Sequence, residues 1–319
     1  MSAPTNTEIT TSAKGIREDL SNLIFRVAAE QTPLLSNIGR AKAKQTYHEY
    51  QTETLAAPNP DNAALEGGDV GTLGTPNRTA RVGNICQIFT KDGGVSGTVE
   101  EVDKAGRDSE LARQKLLKGK EAMRDLEMRA IGNYASQAES DPTPRKMAGV
   151  VAHITTNVSR GSGGSDGGFG AGIVSAATNG TQRTFTEDQL KDVMALAFTN
   201  GAKPSQAYMT AANKQDFSSF TGISDIRTDA GKGQKVTIMG AADFYQSDFG
   251  IIAAIPHPYG LLRDALFADP DYIKLATLRP WKTQALAKTG DNEKFQLVGE
   301  FTIEVGNELA HAVVADLNQ

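Results

Sequence analysis

The feature that most constrains this chain is a stretch with almost nothing to bury, framed by two stretches that alternate like strands. Tyr47-His48-Glu49-Tyr50-Gln51-Thr52 alternates aromatic and polar residues, and Val82, Ile85, Ile88 and Phe89 mark a second such segment. Between them Pro58, Pro60, Gly67, Gly68, Gly71, Gly74 and Pro76 punctuate a polar run. Proline lacks an N–H and glycine weakens regular structure, so the run reads as a long, turn-rich tip. Two strands with such a tip form an extended hairpin, which is marginal alone in water and needs a neighbour to lie on.

The flanking regions read as struts and lobes. Met1 to Lys14 is polar, and Ile16, Leu20, Leu23 and Val27 then recur at helical spacing up to Pro33. That pattern predicts an amphipathic arm that packs against something else. Ser109 to Glu139 reads as one long helix, with Ala112, Leu116, Met123, Leu126, Ala130 and Tyr134 on its apolar stripe. Asp125 and Arg129 are spaced to pair along it, as are Glu100–Lys104 and Asp103–Arg107 if it starts earlier. Gly106, Gly119 and Gly132 allow a bend or a late start.

The run from Gly161 to Gly172 reads as a flexible loop. Thr186-Glu-Asp-Gln189 predicts a capping box opening a helix that Asn200-Gly201 ends. Ala207-Tyr-Met, Ala211 to Phe220, Val236-Thr-Ile-Met and Ile251 to Ile255 then alternate strand and helix patterns, as a sheet flanked by helices would. Phe295, Leu297, Phe301, Ile303 and Val305 predict a long half-exposed strand, and Gly306-Asn307 a turn into a terminal β-hairpin. Trp281, after Pro280, is expected as a packing anchor between lobes.

Charge and composition narrow the function. With 33 Lys plus Arg against 38 Asp plus Glu the net charge is −5, which argues against a chain whose affinity comes from neutralising phosphates. No apolar run reaches the roughly 18 residues that would suggest a membrane span, and no apolar signal core follows the first residues. Cys86 is alone, so a disulfide framework or thiolate metal cluster within one chain is excluded.

The motifs that look chemical fail on context. Gly163-Gly-Ser165-Asp-Gly167 spells a nucleophile elbow, which would make the chain a serine hydrolase, but lies inside a glycine tract rather than between strand and helix. His48-Glu49 is followed by Thr52 where a zinc protease needs its second histidine. His48, His153, His257 and His311 share no short ligand spacing, and read as surface or packed residues. Gly231-Lys232 lacks the remainder of a phosphate loop. Asp61, Glu66 and Asp69 read as a solvated loop rather than a cation site. Asn77, Asn157 and Asn179 begin glycosylation triplets that matter only in a secreted eukaryotic chain. The expectation is therefore no enzyme: no catalytic residue, no cofactor and no metal.

An arm, a coreless hairpin and a strut each expose surface that one chain leaves unpaired, which is the layout of a subunit built for self-association. The chain also resembles the major capsid proteins of tailed bacteriophages with the Hong Kong 97 fold, most closely an uncharacterised phage capsid family. The likeness runs through Arg17-Glu-Asp-Leu-Ser, Tyr47-His-Glu-Tyr-Gln-Thr, Val95-Ser-Gly-Thr, Ala105-Gly-Arg-Asp-Ser-Glu-Leu-Ala and Arg124-Asp-Leu-Glu. It closes with Ala287-Lys-Thr-Gly-Asp and Glu304-Val-Gly-Asn-Glu-Leu-Ala.

The resemblance implies an α+β fold with an N-terminal arm over 1–45 and an extended hairpin, the E-loop, over 46–95. A P-domain with a spine helix and glycine-rich loop would cover 96–185, an α/β A-domain 186–275, and P-domain return strands 276–319. It implies hexamers and pentamers of an icosahedral head, made in a bacterial host's cytoplasm and residing in the virion. The shell would enclose DNA without sequence-specific binding and without a membrane. Partners would be a separate scaffolding protein, since the arm begins almost at once, a portal, and a decoration protein. Scaffold, decoration and adaptor proteins of the virion are the rival identities, against which the hairpin-like stretch weighs.

Some relatives cross-link through an E-loop lysine, but no lysine lies between Lys44 and Lys91. A non-covalent shell is expected. Shell protein boiled in detergent should run as one band near 33.9 kDa, whereas a ladder of multimers would refute it.

Overall fold

A computed structural model describes residues 30 to 318 apart from 68, 70 to 75, 77, 105, 107 and 221 to 243. The predicted amphipathic arm helix, the 236–239 strand and Gly231-Lys232 lie outside the described residues.

In chain order, α1 (Pro33–Asn37) leads into β1 (Gly39–Lys42), then β2 (Tyr47–Thr52) and β3 (Ala80–Ile85), then β4 (Gln87–Ser96). Helices α2 (Gly97–Glu101), α3 (Glu110–Ile131) and α4 (Val150–His153) follow. Short strands β5 (Val158–Ser159), β6 (Gly168–Gly170) and β7 (Ile173–Ser175) precede α5 (Glu187–Thr199), β8 (Gln206–Met209) and α6 (Ala211–Ser218). The chain then runs through β9 (Phe244–Ser247), β10 (Gly250–Pro256), β11 (Ala265–Ala268), β12 (Ile273–Ala285), β13 (Asn292–Val305) and β14 (Ala312–Val314).

Two larger sheets carry the molecule, ordered β1-β12-β13-β4 and β5-β14-β11-β8-β10-β9. The middle of the six-stranded sheet is buried on both faces, because β11 and β14 are apolar at every position. Tyr208, Leu266, Ala268 and Val313 point into a core shared with α3, α4, β12 and β13. Their neighbours Ala207, Met209, Phe267, Ala312 and Val314 point into a second core with Leu190, Val193, Met194 and Ala197 of α5 and Phe217 of α6. The strict alternation of side chains along a strand thus makes one sheet the wall between two cores.

The strut is shorter than expected: α3 has 22 residues, about 33 Å at 1.5 Å per residue. Ser109 starts it by accepting the Ala112 N–H at 3.1 Å, and Gly132 leaves the helix in an extended conformation. Only the second half of the predicted stripe is covered. Leu126 and Ala130 are buried with Ala122, Glu127 and Ile131, whereas Leu116 is 57% exposed. Of the predicted pairs, Asp103–Arg107 lies partly outside the described residues, and the other two do not form. Asp125 binds Lys91 at 2.6 Å, Arg129 donates to the Met147 and Ala135 carbonyls, and Lys104 donates to carbonyls of α2. Backbone oxygens left free by helix ends and turns compete for these cations.

The capping box forms as expected, with Thr186 and Gln189 bonding reciprocally, and Gly201 ends α5 at φ +85°. Four other expectations need correction. The strand pattern from Val82 to Phe89 splits at Cys86, because β3 pairs with β2 while β4 pairs with β13. β13 is central, flanked by β12 and β4, and its second half is covered on both faces, so Glu300 and Thr302 are buried rather than exposed. No terminal hairpin forms: after a 3-10 turn at Glu308–Ala310, β14 crosses to the other sheet and pairs with β11 and β5. The reason is burial, since Ala312–Val314 is apolar at every position and fits only a two-sided interior.

The glycine-rich run is the fourth. It is laid down as β6 and β7 and held by hydrogen bonds, Gly161 N–H and Gly180 N–H both donating to the Asp316 carboxylate. Its glycines permit close backbone approach: a Cβ on Gly161 would lie 2.0 Å from the Thr181 oxygen, and one on Gly167 2.1 Å from the Ser175 oxygen. Trp281 is a packing residue within one sheet, its ring 5.0 Å from Phe301 of β13 and 6.4 Å from Phe89 of β4, where Pro280 interrupts the β12 ladder.

Leu126 is fully buried in the shared core. Leu126→Ala should cost about 2–5 kcal/mol, read as a lower Tm, while Leu116→Ala on the exposed half should leave Tm nearly unchanged.

Candidate assembly surfaces

Three buried polar joints hold the surfaces that a subunit could present to others. The first serves α1. Pro33 lacks an N–H and Thr32 makes no capping bond, so the amides of Leu34 and Leu35 need an acceptor from elsewhere. Glu127, from the middle of α3, supplies it: its carboxylate accepts Leu34 N–H at 2.7 Å and Leu35 N–H at 2.9 Å. His257 Nε2 donates a third bond at 2.8 Å, while its Nδ1 accepts the Tyr259 N–H. Glu127 and His257 side chains are wholly buried, so the carboxylate caps one helix from another and ties the loop after β10 to both.

The second joint roots the hairpin β2–β3. His48 Nε2 donates to Glu304 at 3.1 Å, and Lys274 stands 3.6 Å from the same carboxylate; the His48 bond is the main reason Glu304 sits below the usual carboxylate range. Asn84 is buried and satisfied at both ends, donating to the Ala148 and Ile303 carbonyls and accepting from Ala148 N–H and Ile85 N–H. Arg145 binds the Cys86 carbonyl, Glu139 and Glu300, and Arg279 reaches Glu300 at 2.7 Å. The third joint is Asp316, held at φ +61°, which accepts from the glycine tract and from Arg263.

Beyond its root the hairpin has no core. Residues 53 to 67 are exposed throughout, with Leu55 at 90% and Leu65 at 88%. At the far end of the six-stranded sheet β9 is the edge strand among the described residues, and Phe244 and Ile251 lie exposed on one face of the β9–β10 pair.

The sequence candidates for chemistry fall elsewhere. Ser165 exchanges two backbone bonds with Thr178 and is followed by β6, not by the helix an elbow requires. Asp61, Glu66 and Asp69 are exposed on the tip. His48 and His257 sit in the joints just described, and His153 and His311 are buried. Asn157 is buried too, its amide donating to the Leu309 and His311 carbonyls, so it is closed to modification. Cys86 is buried, and burial pushes its thiol up to about 11. Among the described residues no three His, Cys, Asp or Glu side chains come together to hold a metal, and no helix is long and apolar enough to cross a membrane.

The sequence pattern of the SU10 major capsid protein matches residues 3–318. The chain belongs to the SU10 major capsid protein family. The major capsid protein of Escherichia phage Phieco32 is 24% identical over 344 residues, covering 94% of each chain. A chain from Mycobacterium phage Adephagia superposes with a TM-score of 0.62 at 12% identity, over 98% of this chain and 99% of that one. A capsid chain of a native GTA particle gives 0.57 at 11% identity, over 97% and 98%. The fold is the α+β Hong Kong 97-type capsid fold. As a member of this family the chain is a major capsid protein of a tailed phage, and its work is to form a shell. For a shell-forming subunit the joints matter because they fix where the exposed segments leave the body. The joints join residues far apart in the sequence; Glu127, one turn beyond Met123 on the apolar side of α3, was the one available signal.

Glu127→Gln would leave one oxygen to serve three donors and turn an NH2 toward them. The expected loss is about 1–3 kcal/mol, with faster exchange of the Leu34 and Leu35 amides. An unchanged Tm with both amides still protected would show that the carboxylate does not cap α1.

Proposed function

We propose that the chain assembles without covalent links into hexamers and pentamers of an icosahedral head that encloses DNA. On this reading 1–45 acts as the arm and 46–95 as the E-loop, 96–185 and 276–319 build the P-domain, and 186–275 forms the lobe nearest the capsomer axis. β1 and β14 then stitch these units together, since each pairs with a strand distant in sequence. No catalytic role is assigned. A scaffolding protein, a portal and a decoration protein are the further partners, the virion is the destination, and a host cytoplasm the place of synthesis.

The observation that carries this reading is the contrast within the hairpin. Its root is fixed by buried, fully satisfied polar groups, yet its tip holds Leu55 and Leu65 in water. Leucines that exposed on a rigidly aimed segment mark a contact with another molecule. Repeated around closed rings, modest contacts of tip, arm and lobe add up, because each one made raises the effective concentration of the next. The net charge of −5 fits a container that does not grip its DNA.

Electron microscopy of the expressed protein should show rings or closed particles. Replacing residues 54 to 66 by a short Gly-Ser linker should leave a folded subunit, with unchanged Tm, that no longer closes shells. Closed shells from that variant, or a wild-type protein that stays monomeric at every concentration, would overturn the proposal.

A further inference from the structure

The chain comes onto the spine α3 through a series of contacts. Glu127 accepts the Leu34 and Leu35 amides, Tyr259 Oη donates to the Gln31 carbonyl at 2.6 Å, and Glu30 meets Lys120 at 2.6 Å. From Leu35 back to Glu30 the segment therefore runs from position 127 of α3 to position 120, toward the start of that helix. It keeps to one face, since 127 and 120 are two helical turns apart and 116 lies one turn further along. Position 116 is Leu116, left 57% exposed. Ala112 is exposed one turn before it, and Gly119 opens on space, because a Cβ there would meet no atom within 4 Å. Val99 and Val102, in and just after α2, add exposed apolar surface near the start of α3, where Glu100 accepts the Glu110 and Leu111 amides. The bare half of the spine thus begins where the chain from Glu30 arrives, and an apolar helix face in that position calls for a cover.

We propose that the cover is the chain's own arm: Ile16 to Val27, which precede the described residues, pack as a helix parallel to the first half of α3 in the same subunit. Three observations select this occupant. The first is rhythm. Ile16, Leu20, Leu23 and Val27 step by four, three and four, and Ala112, Leu116, Gly119 and Met123 of α3 step the same way, as the facing seams of two paired helices do. The second is length. In helical form 16 to 27 extends about 18 Å, and Glu110 to Lys120 extends about 16 Å. The third is the tether. Only Ala28 and Ala29 separate Val27 from Glu30, both strong helix formers, with no Gly or Pro to turn the chain aside. Val27 therefore falls level with Leu116 and Gly119, and the residues before it run on toward Ala112. Leucines of the arm and Leu116 then leave water together, with Gly119 allowing close approach. This packing belongs to the single subunit and does not rest on the proposed shell. It is also local: the arm can lift while the body stays folded, so it shows in exchange rates and not in Tm.

Hydrogen exchange in the full-length protein tests this. Amides 20 to 27 of the wild type should exchange at least about tenfold more slowly than their intrinsic rates, by a factor that does not change on dilution. Leu116→Gln, at an exposed position away from the core, should remove most of that protection and leave amides 122 to 131 as in the wild type. Arm amides at intrinsic rates, protection that fades on dilution, or protection that survives Leu116→Gln would each overturn the packing. For protein obtained only as assembled particles, Leu20→Cys with Ala112→Cys decides. A short bismaleimide should join the two within one chain, and the buried Cys86 does not compete for it. A two-chain product on a denaturing gel, or no product, would overturn the packing while leaving the particles themselves as evidence of a shell.

Discussion

A single carboxylate, Glu127, ties α1, α3 and the loop after β10 together. Burying a carboxylate is costly unless it is paired or fully hydrogen-bonded, and three N–H donors meet that cost here. Two of the donors are the first amides of α1, which has neither a capping side chain nor a proline N–H to offer. The third comes from the loop beyond β10. Geometry follows from this: α1 can start only where α3 passes, and the segment leading up to α1 is delivered to one place on the spine. Lys120 repeats the connection at the surface, reaching Glu30 at 2.6 Å.

The two-cored architecture rests on the same economy of satisfied polar groups around apolar strands. Every residue of β11 and of β14 is buried, so this part of the six-stranded sheet is an internal wall rather than a surface. Its margins carry the polar work, through Asp316 on the glycine tract and Asn157 on the turn before β14. Asp264, beside Asp316 and Arg160, is pushed up to about 6 mainly by burial, another sign that this margin is shut off from water. The hairpin sits on the other sheet in the same way. Its strands touch β13 through Asn84, Tyr50 and His48, which leaves their outer face and the tip in solvent.

Where both halves of an interaction lie within a few residues, the sequence was legible. The Thr186–Gln189 box and the strand at Tyr47–Thr52 were readable for that reason, as was the coreless tip. The shell-forming role was legible through family likeness and through surface left unpaired. What could not be read is decided by distant partners. Glu127 caps an amide 93 positions away, a partner that its place in α3 does not name. Gly306-Asn307 carries a turn signal, but the strand after it is apolar at each position, and periodicity does not say which sheet it will enter. The glycine tract reads as loose because composition cannot show Asp316 waiting more than a hundred residues downstream.

The placement of β14 has a consequence for biosynthesis. Every other strand of its sheet precedes it in the chain, and β5 pairs with β14 alone. While a ribosome is still producing the subunit, β11 and β5 stand apart with open edges, and the wall between the cores has a gap. Domains fold as units once their pieces have emerged, so this lobe cannot set until β14 itself is out.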